Sequence, residues 1–444
     1  MKRRSLLQTA AGALGGALIA EAPLEAFPKN VNTNSRPSEL KITDMRIAWV
    51  TRAPMDCPII RLDTNQGISG LGEVRDGASP TYALMLKSRL VGENPCSVDK
   101  VFRKIKQFGG HARQGGGVSG VEMALWDLAG KAYNVPVYQM LGGKFRDRIR
   151  CYSDTDESHD PKIYAERLKK RMEQGFTWLK MDLGVDLVSS LPGTVTGPAD
   201  MTKEEQTWTP HMFTGTEITD KGIALMADYV AQVREIVGME IPLAADHFGH
   251  IGVNSCIRLG NALQKFNLAW LEDMIPWQYM DQLKEIADAI SLPLLTGEDI
   301  YLKESFIELC RRHAVDIIHP DLTTSGGILE TKKIGDAAQE FGVPMAMHFA
   351  GTPVSCMASV HCAAATENFL VLENHSVDVP WWNDLVDGVE KPIVNHGTIT
   401  VPDKPGLGVT LNDEVVKQHL ESGTELFAPT TEWDKEHSWD RLWS

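Results

Sequence analysis

After residue 148 the chain repeats one pattern, a short apolar run that closes on a polar side chain and is followed by an amphipathic stretch. "LAWLEDM" ends on Glu272, "LPLLTGEDI" on Glu298, "DIIHPDL" on Asp321, "VPMAMHFAG" on His348 and "LVLENH" on Glu373. "IPLAADH" does the same with Asp246, and from there the steps are 26, 26, 23, 27 and 25 residues. That interval holds one strand, a loop and one helix, so the repeat predicts parallel strands joined by helical crossovers. With "IRCYSDTD" and "FTWLKMDLG" in front, about eight strands are available, enough to close a barrel. The C-terminal strand ends of such a barrel form one mouth, so the polar residues are predicted to converge there.

Before residue 148 the texture differs. "LKITDMRIAWVTR" and "PIIRLDTNQGISGLGEV" alternate and turn at Asn65-Gln66-Gly67, as a β-meander does. "SGVEMALWDLAGKAYNVPVYQML" predicts a helix capped by Ser119, with Val121, Leu125, Leu128 and Ala129 on one face. Residues 39–147 therefore read as an α+β domain and 148–380 as the barrel. The step from Lys180 to Asp246 is 66 residues, far more than one unit needs. Long insertions on this face are lids or specificity elements, and Trp208 and His211 are candidate wall or acid groups within this one.

Composition narrows the partners. A formal net charge of −15 over 444 residues argues against a nucleic-acid surface and against attachment to anionic lipid. The seven cysteines are scattered without CxxC spacing, so neither a disulfide framework nor a zinc knuckle is expected. Residues 1–22 carry a basic start (Lys2, Arg3, Arg4), a mild Ala/Gly/Leu stretch and Ala20-Glu21-Ala22. This reads as a twin-arginine export signal rather than a membrane anchor, and 23–38 as a polar tether. The expectation is a periplasmic protein with no stable membrane insertion once the signal is removed.

Asp246, Glu272 and Glu298 close three successive strands, and adjacent strands lie about 4.8 Å apart. Three like charges in a half-buried mouth repel unless a cation joins them. Carboxylate oxygens without thiolates suit hard Mg²⁺, completed by water or substrate. The bland alternative is that each carboxylate caps the next helix, which explains one strand end better than three.

This carboxylate set, with "SGVEMALWDLAGKAYNVPVYQMLGG" before the barrel and "VPDKPGLGVTL" after it, resembles the enolase superfamily. The His348 site is similar to the mandelate racemase branch and its sugar-acid dehydratases. The resemblance implies an α/β fold, a modified (β/α)7β TIM barrel. Its α+β capping domain is built from both termini and completed by residues 381–444. It also implies Mg²⁺ and abstraction of the proton α to a carboxylate, giving an enediolate. His348 matches the family's base and Asp321 the partner that fixes its tautomer. Glu373 matches the group that hydrogen-bonds a substrate carboxylate as an acid.

Two positions depart from the family pattern. In "LKMDLG" Lys180 matches the first lysine of a Lys-x-Lys pair, but Asp182 stands where the second base would be. A two-base racemase needs both, whereas a dehydratase works with His-Asp as base and another group as acid. Lys180 either supplies positive charge to the site or only pairs with Asp182. In "AADHFGH" the histidine expected two residues after Asp246 is replaced by Phe248, leaving His247 and His250 as candidate acids or as caps of the next helix. The expected function is a Mg²⁺-dependent lyase that removes water from a small-molecule sugar acid to give a 2-keto-3-deoxy acid, in a homo-oligomer. A racemase, epimerase or cycloisomerase of the same superfamily is the alternative. A non-catalytic exported sugar-acid-binding protein is a third reading, against which the retained His348, Asp321 and Glu373 argue.

Overall fold

The computed structural model describes residues 35–197, 214–246 and 251–435. An antiparallel meander comes first: β1 (Ile42–Val50), β2 (Cys57–Thr64) and β3 (Ser69–Glu73). The β2–β3 turn falls at the predicted Gly67, whose φ of +74° only glycine adopts without strain. Helix α1 (Gly116–Tyr133) packs on this meander and buries Val121, Leu125, Leu128 and Ala129. It starts before Ser119, which is not its cap. Ser119 Oγ instead donates to Gly115 O (3.0 Å) and accepts from Gly326 N (3.1 Å). The early start follows from close packing. A Cβ at Gly116 would lie 2.5 Å from Arg75 N, and one at Gly120 2.6 Å from Glu73 O. The glycines therefore let the helix backbone lie against β3 and the segment just after it.

Eight parallel strands follow: β4 (Arg148–Ser153), β5 (Leu179–Asp182), β6 (Leu243–Asp246), β7 (Leu271–Glu272), β8 (Leu294–Thr296), β9 (Ile317–Ile318), β10 (Met345–Met347) and β11 (Phe369–Asn374). Their ladders run β4-β11-β10-β9-β8-β7-β6-β5, and β4 and β5 approach within 8 Å to bring the curled sheet round. Seven helices return the chain: α2 (Pro161–Glu173), α3 (Asp220–Val237), α4 (Val253–Leu263), α5 (Met280–Ala289), α6 (Lys303–Arg312), α7 (Ile328–Gln339) and α8 (Pro353–Ala365). This is the expected (β/α)7β barrel. Its ninth strand, β12 (Thr398–Thr400), adds antiparallel to β4.

Side chains alternate along a strand, so residues two apart share a face. Tyr152, Trp178, Ala244, Trp270, Ile317, Ala346 and Val371 form a buried apolar plug inside the barrel. The residues two positions on are Asp154, Lys180, Asp246, Glu272, His319, His348 and Glu373. The plug is the floor of the site, and its period of two puts the polar residues directly above it.

The C-terminal segment returns to the meander. Thr51 N donates to His419 O (2.9 Å), Glu421 N to Trp49 O (2.7 Å) and Thr430 Oγ1 to Met45 O (2.7 Å). Cap and barrel are also tied at Glu73, the last residue of β3. Its buried carboxylate accepts from Thr352 N (3.0 Å) and Ser355 Oγ (2.7 Å) at the start of α8. All seven cysteines are free, and no helix among the described residues is long and apolar enough to cross a membrane.

Candidate active site

Asp246 and Glu272 are register partners at the ends of β6 and β7, and Glu298 follows β8 by two residues. None of them caps the following helix: α4, α5 and α6 begin after Gly252, Tyr279 and Leu302, without a side-chain cap. Oxygens of Glu272, Asp273 and Glu298 lie within 4.8 Å of one another. Asp246 turns instead toward Lys180, whose Nζ is 3.0 Å from its Oδ2. Glu272 is 1% exposed, and its Oε1 is buried without a hydrogen bond. That oxygen lies 3.2 Å from His319 Nε2 without a hydrogen bond, and three carboxylates gathered here repel one another unless a cation joins them. The residues present therefore fit a hard divalent cation. Two histidine-containing groups also bring ligand atoms within that distance, but there the imidazole already sits against a carboxylate.

Across Glu298 stands the imidazole predicted as base. Asp321 and His348 bridge at the ends of β9 and β10, with His348 Nδ1 2.6 Å from Asp321 Oδ2. Asp321 Oδ1 accepts from Thr323 N (2.6 Å) and Thr324 N (3.2 Å), which locks the carboxylate. Nδ1 is thereby engaged, and Nε2 points to Glu298 Oε2 at 3.2 Å. The sequence reading missed Arg75, just after β3, which reaches in from the cap with its side chain fully buried. It pairs with Asp321, with Asp76 (2.9 Å) and with Glu298 (3.3 Å). Burial alone would raise the Asp321 pKa, but Arg75 and His348 outweigh it and hold the carboxyl far below its usual range.

Lys180 lies between the two halves of the site, 3.0 Å from Asp246 and 2.7 Å from Glu373. It thus serves the strand-end ring, the first of the two roles left open for it. Burial pushes Asp182, in the place of the second base, up to about 7. Two further imidazoles, also missed from the sequence, surround the fully buried Glu373. His319 Nε2 is 3.2 Å from Glu272 and 3.4 Å from Glu373. His375 Nε2 is 3.2 Å from Glu373, and its Nδ1 is 3.2 Å from Asp154. Burial opposes charge on His319, but the neighbouring carboxylates outweigh it and push the ring up to about 10. For Glu373 burial works upward, and Lys180 and the imidazoles hold it well below its ordinary value. Both Glu373 oxygens face these groups at ion-pair distance, without a hydrogen bond. His319 and Lys180 were readable from the two-residue period above the floor; Arg75 carries no such local signal.

A cavity of about 300 Å³ opens beside the carboxylates, lined by His111, Asp273, Trp277, Glu298 and Asp299. A second, of about 420 Å³, flanks the other side at Asp154, Glu157, Arg167 and Asp182. A larger one, about 640 Å³, lies between the 51–56 loop and the C-terminal segment and takes in none of the strand-end residues, so it is not the reaction site. The candidate acids His247 and His250, the insertion residues Trp208 and His211, and the 1–22 signal lie outside the described residues.

A barrel whose strand ends carry a cluster of carboxylates facing a His–Asp pair, roofed by an α+β cap, defines an enolase-superfamily enzyme. The family described as enolase C-terminal domain-like matches residues 164–415, and the mandelate racemase/muconate lactonizing enzyme N-terminal domain matches residues 30–142. The chain belongs to this family. It is 35% identical to the D-xylonate dehydratase of Haloferax volcanii over 83% of this chain and 86% of that protein. It is 27% identical to the arabinonate dehydratase of Saccharolobus solfataricus, over 84% and 93% of the two chains. Among solved structures, a mandelate racemase/muconate lactonizing enzyme-like protein from Rubrobacter xylanophilus superimposes with a TM-score of 0.77 at 31% identity, covering 87% of this chain and 99% of that one.

Proposed function

We propose that this enzyme is a Mg²⁺-dependent dehydratase that converts a sugar acid into a 2-keto-3-deoxy acid. The observation that carries the reading is the Asp321–His348 pair, with Nδ1 tied back at 2.6 Å and Nε2 opening toward the carboxylate cluster at Glu298. Asp246, Glu272 and Glu298 would hold the cation, with Asp273 in reach. When bound, it supplies positive charge against the second negative charge that builds on a carboxylate as its α-proton leaves. His348 takes that proton at Nε2, because Asp321 keeps its other nitrogen occupied. Lys180 and His319, both beside Glu373, add positive charge at the other end of the site. Water is then lost from the β-carbon. The absence of a second strand-end lysine, with Asp182 in its place, favours this one-base dehydration over racemisation.

The curated relatives point to five- and six-carbon aldonic acids as the class to try. The test is a screen of D-xylonate, arabinonate, D-gluconate and D-galactonate with Mg²⁺ or with EDTA, read as 2-keto acid formed. Product from at least one acid, abolished by EDTA, is expected. A folded enzyme that forms no keto acid from the panel and exchanges no α-proton in D₂O refutes the reading. The basic N-terminus and its Ala20-Glu21-Ala22 site support export of the folded protein by the twin-arginine route.

A further inference from the structure

The described site holds two histidine–carboxylate pairs built in the same way, and the reading above uses only one. Asp321 and His348 meet because β9 and β10 end side by side. β4 and β11 also end side by side, with Ser153 paired to Asn374, so the next residues on the two strands, Asp154 and His375, face each other. Asp154 N is held by Asn374 O (3.1 Å) and Ser376 N by Asn374 Oδ1 (2.8 Å), which fixes the turn carrying the imidazole. His375 Nδ1 is 3.2 Å from Asp154 Oδ2, a looser contact than the 2.6 Å hydrogen bond between His348 Nδ1 and Asp321 Oδ2. The two rings stand 5.6 Å apart, centroid to centroid, tilted by 54°. His375 Nε2 is buried and makes no hydrogen bond; Glu373 Oε1 lies 3.2 Å away but off the N–H direction. Nδ1 thus faces a carboxylate at ion-pair distance, and among the described residues Nε2 has no hydrogen-bond partner.

We propose that His375 is the general acid that protonates the departing β-hydroxyl, oriented by Asp154 and opposed to the base His348. The assignment rests on the dehydratase reading. In the first step the C2–H bond breaks, its proton goes to His348 Nε2 and its electron pair enters the enediolate. In the second, that electron pair forms the C2–C3 double bond. The C3–O bond breaks toward oxygen, and the His375 Nε2 proton leaves with the hydroxyl as water. The enol then takes a proton at C3 and loses its own from O2, giving the keto acid. His348 gives up the proton it gained and His375 recovers the one it lost, so the cycle closes without a co-reactant. Burial opposes charge on His375, but Glu373 and Asp154 outweigh it and push the imidazole well above its ordinary value, so it carries the proton to be given.

The test separates the two half-reactions. With the aldonic acid turned over in the screen and Mg²⁺ present, α-proton exchange in D₂O and 2-keto acid formation are measured for the parent, His375→Asn, His375→Gln, His247→Asn and His250→Asn. Both His375 variants are expected to keep exchange within about threefold and to lose dehydration by about a hundredfold or more. A 3-deoxy-3-fluoro analogue, whose fluoride leaves with little need of a proton, should be processed by His375→Asn at near the parental rate. Equal loss of exchange and dehydration would make His375 only a counter-charge to Glu373 and overturn the proposal. So would unimpaired dehydration, or a His247 or His250 variant that alone shows the split. A parent that makes no keto acid counts against the dehydratase reading itself, and is recognised before any variant is compared.

Discussion

Arg75 offers the most direct test of how cap and barrel share the site. Replacing it with Met keeps most of the volume and removes the charge. Three carboxylates lose their partner, but not equally. Asp76 keeps Arg113 at 3.0 Å, and Glu298 is 24% exposed, so water compensates part of its loss. Asp321, 3% exposed, keeps the amides of Thr323 and Thr324 but has His348 as its remaining charged partner. One uncompensated buried carboxylate costs about 3–5 kcal/mol. With an m-value of about 3 kcal/mol/M, the urea midpoint should fall by about 1–1.7 M. Arg75→Lys keeps a point charge but cannot span Asp76, Glu298 and Asp321 together, so it should lose about half as much. In turnover, Asp321 without Arg75 orients His348 less firmly, and kcat should fall about 10–100-fold with KM little changed. Tryptophan fluorescence in urea and steady-state rates read both effects. If Arg75→Met shifts the midpoint by less than about 0.3 M and leaves kcat within threefold, the buried-pair argument is refuted.

Glu298→Gln removes one negative charge at similar volume, so Mg²⁺ affinity measured by calorimetry and turnover should collapse together while the circular dichroism spectrum persists. Undiminished Mg²⁺ binding would sink the ligand assignment. His348→Asn should abolish α-proton exchange in D₂O and leave Mg²⁺ binding nearly intact, whereas Asp321→Asn should slow exchange less severely, because the imidazole remains. Exchange at the parental rate in His348→Asn would place the base elsewhere. Replacing Arg3 and Arg4 by lysine should hold the precursor in the cytoplasm, and a mature periplasmic product from that variant would show that the signal was misread.

The barrel was legible in the sequence because its repeat is imposed by geometry. Each unit must cross the sheet and return, so Asp246, Glu272, Glu298, Asp321, His348 and Glu373 recur at nearly constant intervals. Local capping rules did less well. Ser119 looked like a helix start, but a buried helix lying against β3 uses its hydroxyl for a tertiary contact with Gly326. His319 lies two residues before Asp321, and His375 two after Glu373, so strand alternation carried the signal for both. Reading only the last polar residue of each run overlooked them. Arg75 is different in kind. It follows an apolar strand beside Asp76, and such a charge pair usually marks a solvated turn. Its burial depends on the cap settling over β9 and β10, which no window of the sequence contains.

That dependence joins the charge balance of the site to the docking of the cap. The barrel brings Asp246, Glu272, Asp273, Glu298, Asp321 and Glu373 to one mouth and sets Lys180 among them. His319 and His375 offset part of this charge from within the barrel, and the remainder opposes the closed state unless more positive charge arrives from outside it. Arg75 brings one charge, and it arrives only when β3 lies over the mouth, where Glu73 also ties the cap to Thr352 and Ser355. The divalent cation proposed above would bring two more at Glu272 and Glu298, and Glu298 is the residue it would share with Arg75. Cap docking and cation binding therefore relieve the same repulsion from opposite sides of one carboxylate. Each should strengthen the other through the positions of shared ligands and weaken it through like charge. The balance is decided by geometry at Glu298, where one oxygen faces Arg75 and the other faces His348. A side chain that serves the cap, the base and the cation at once cannot be replaced without disturbing all three.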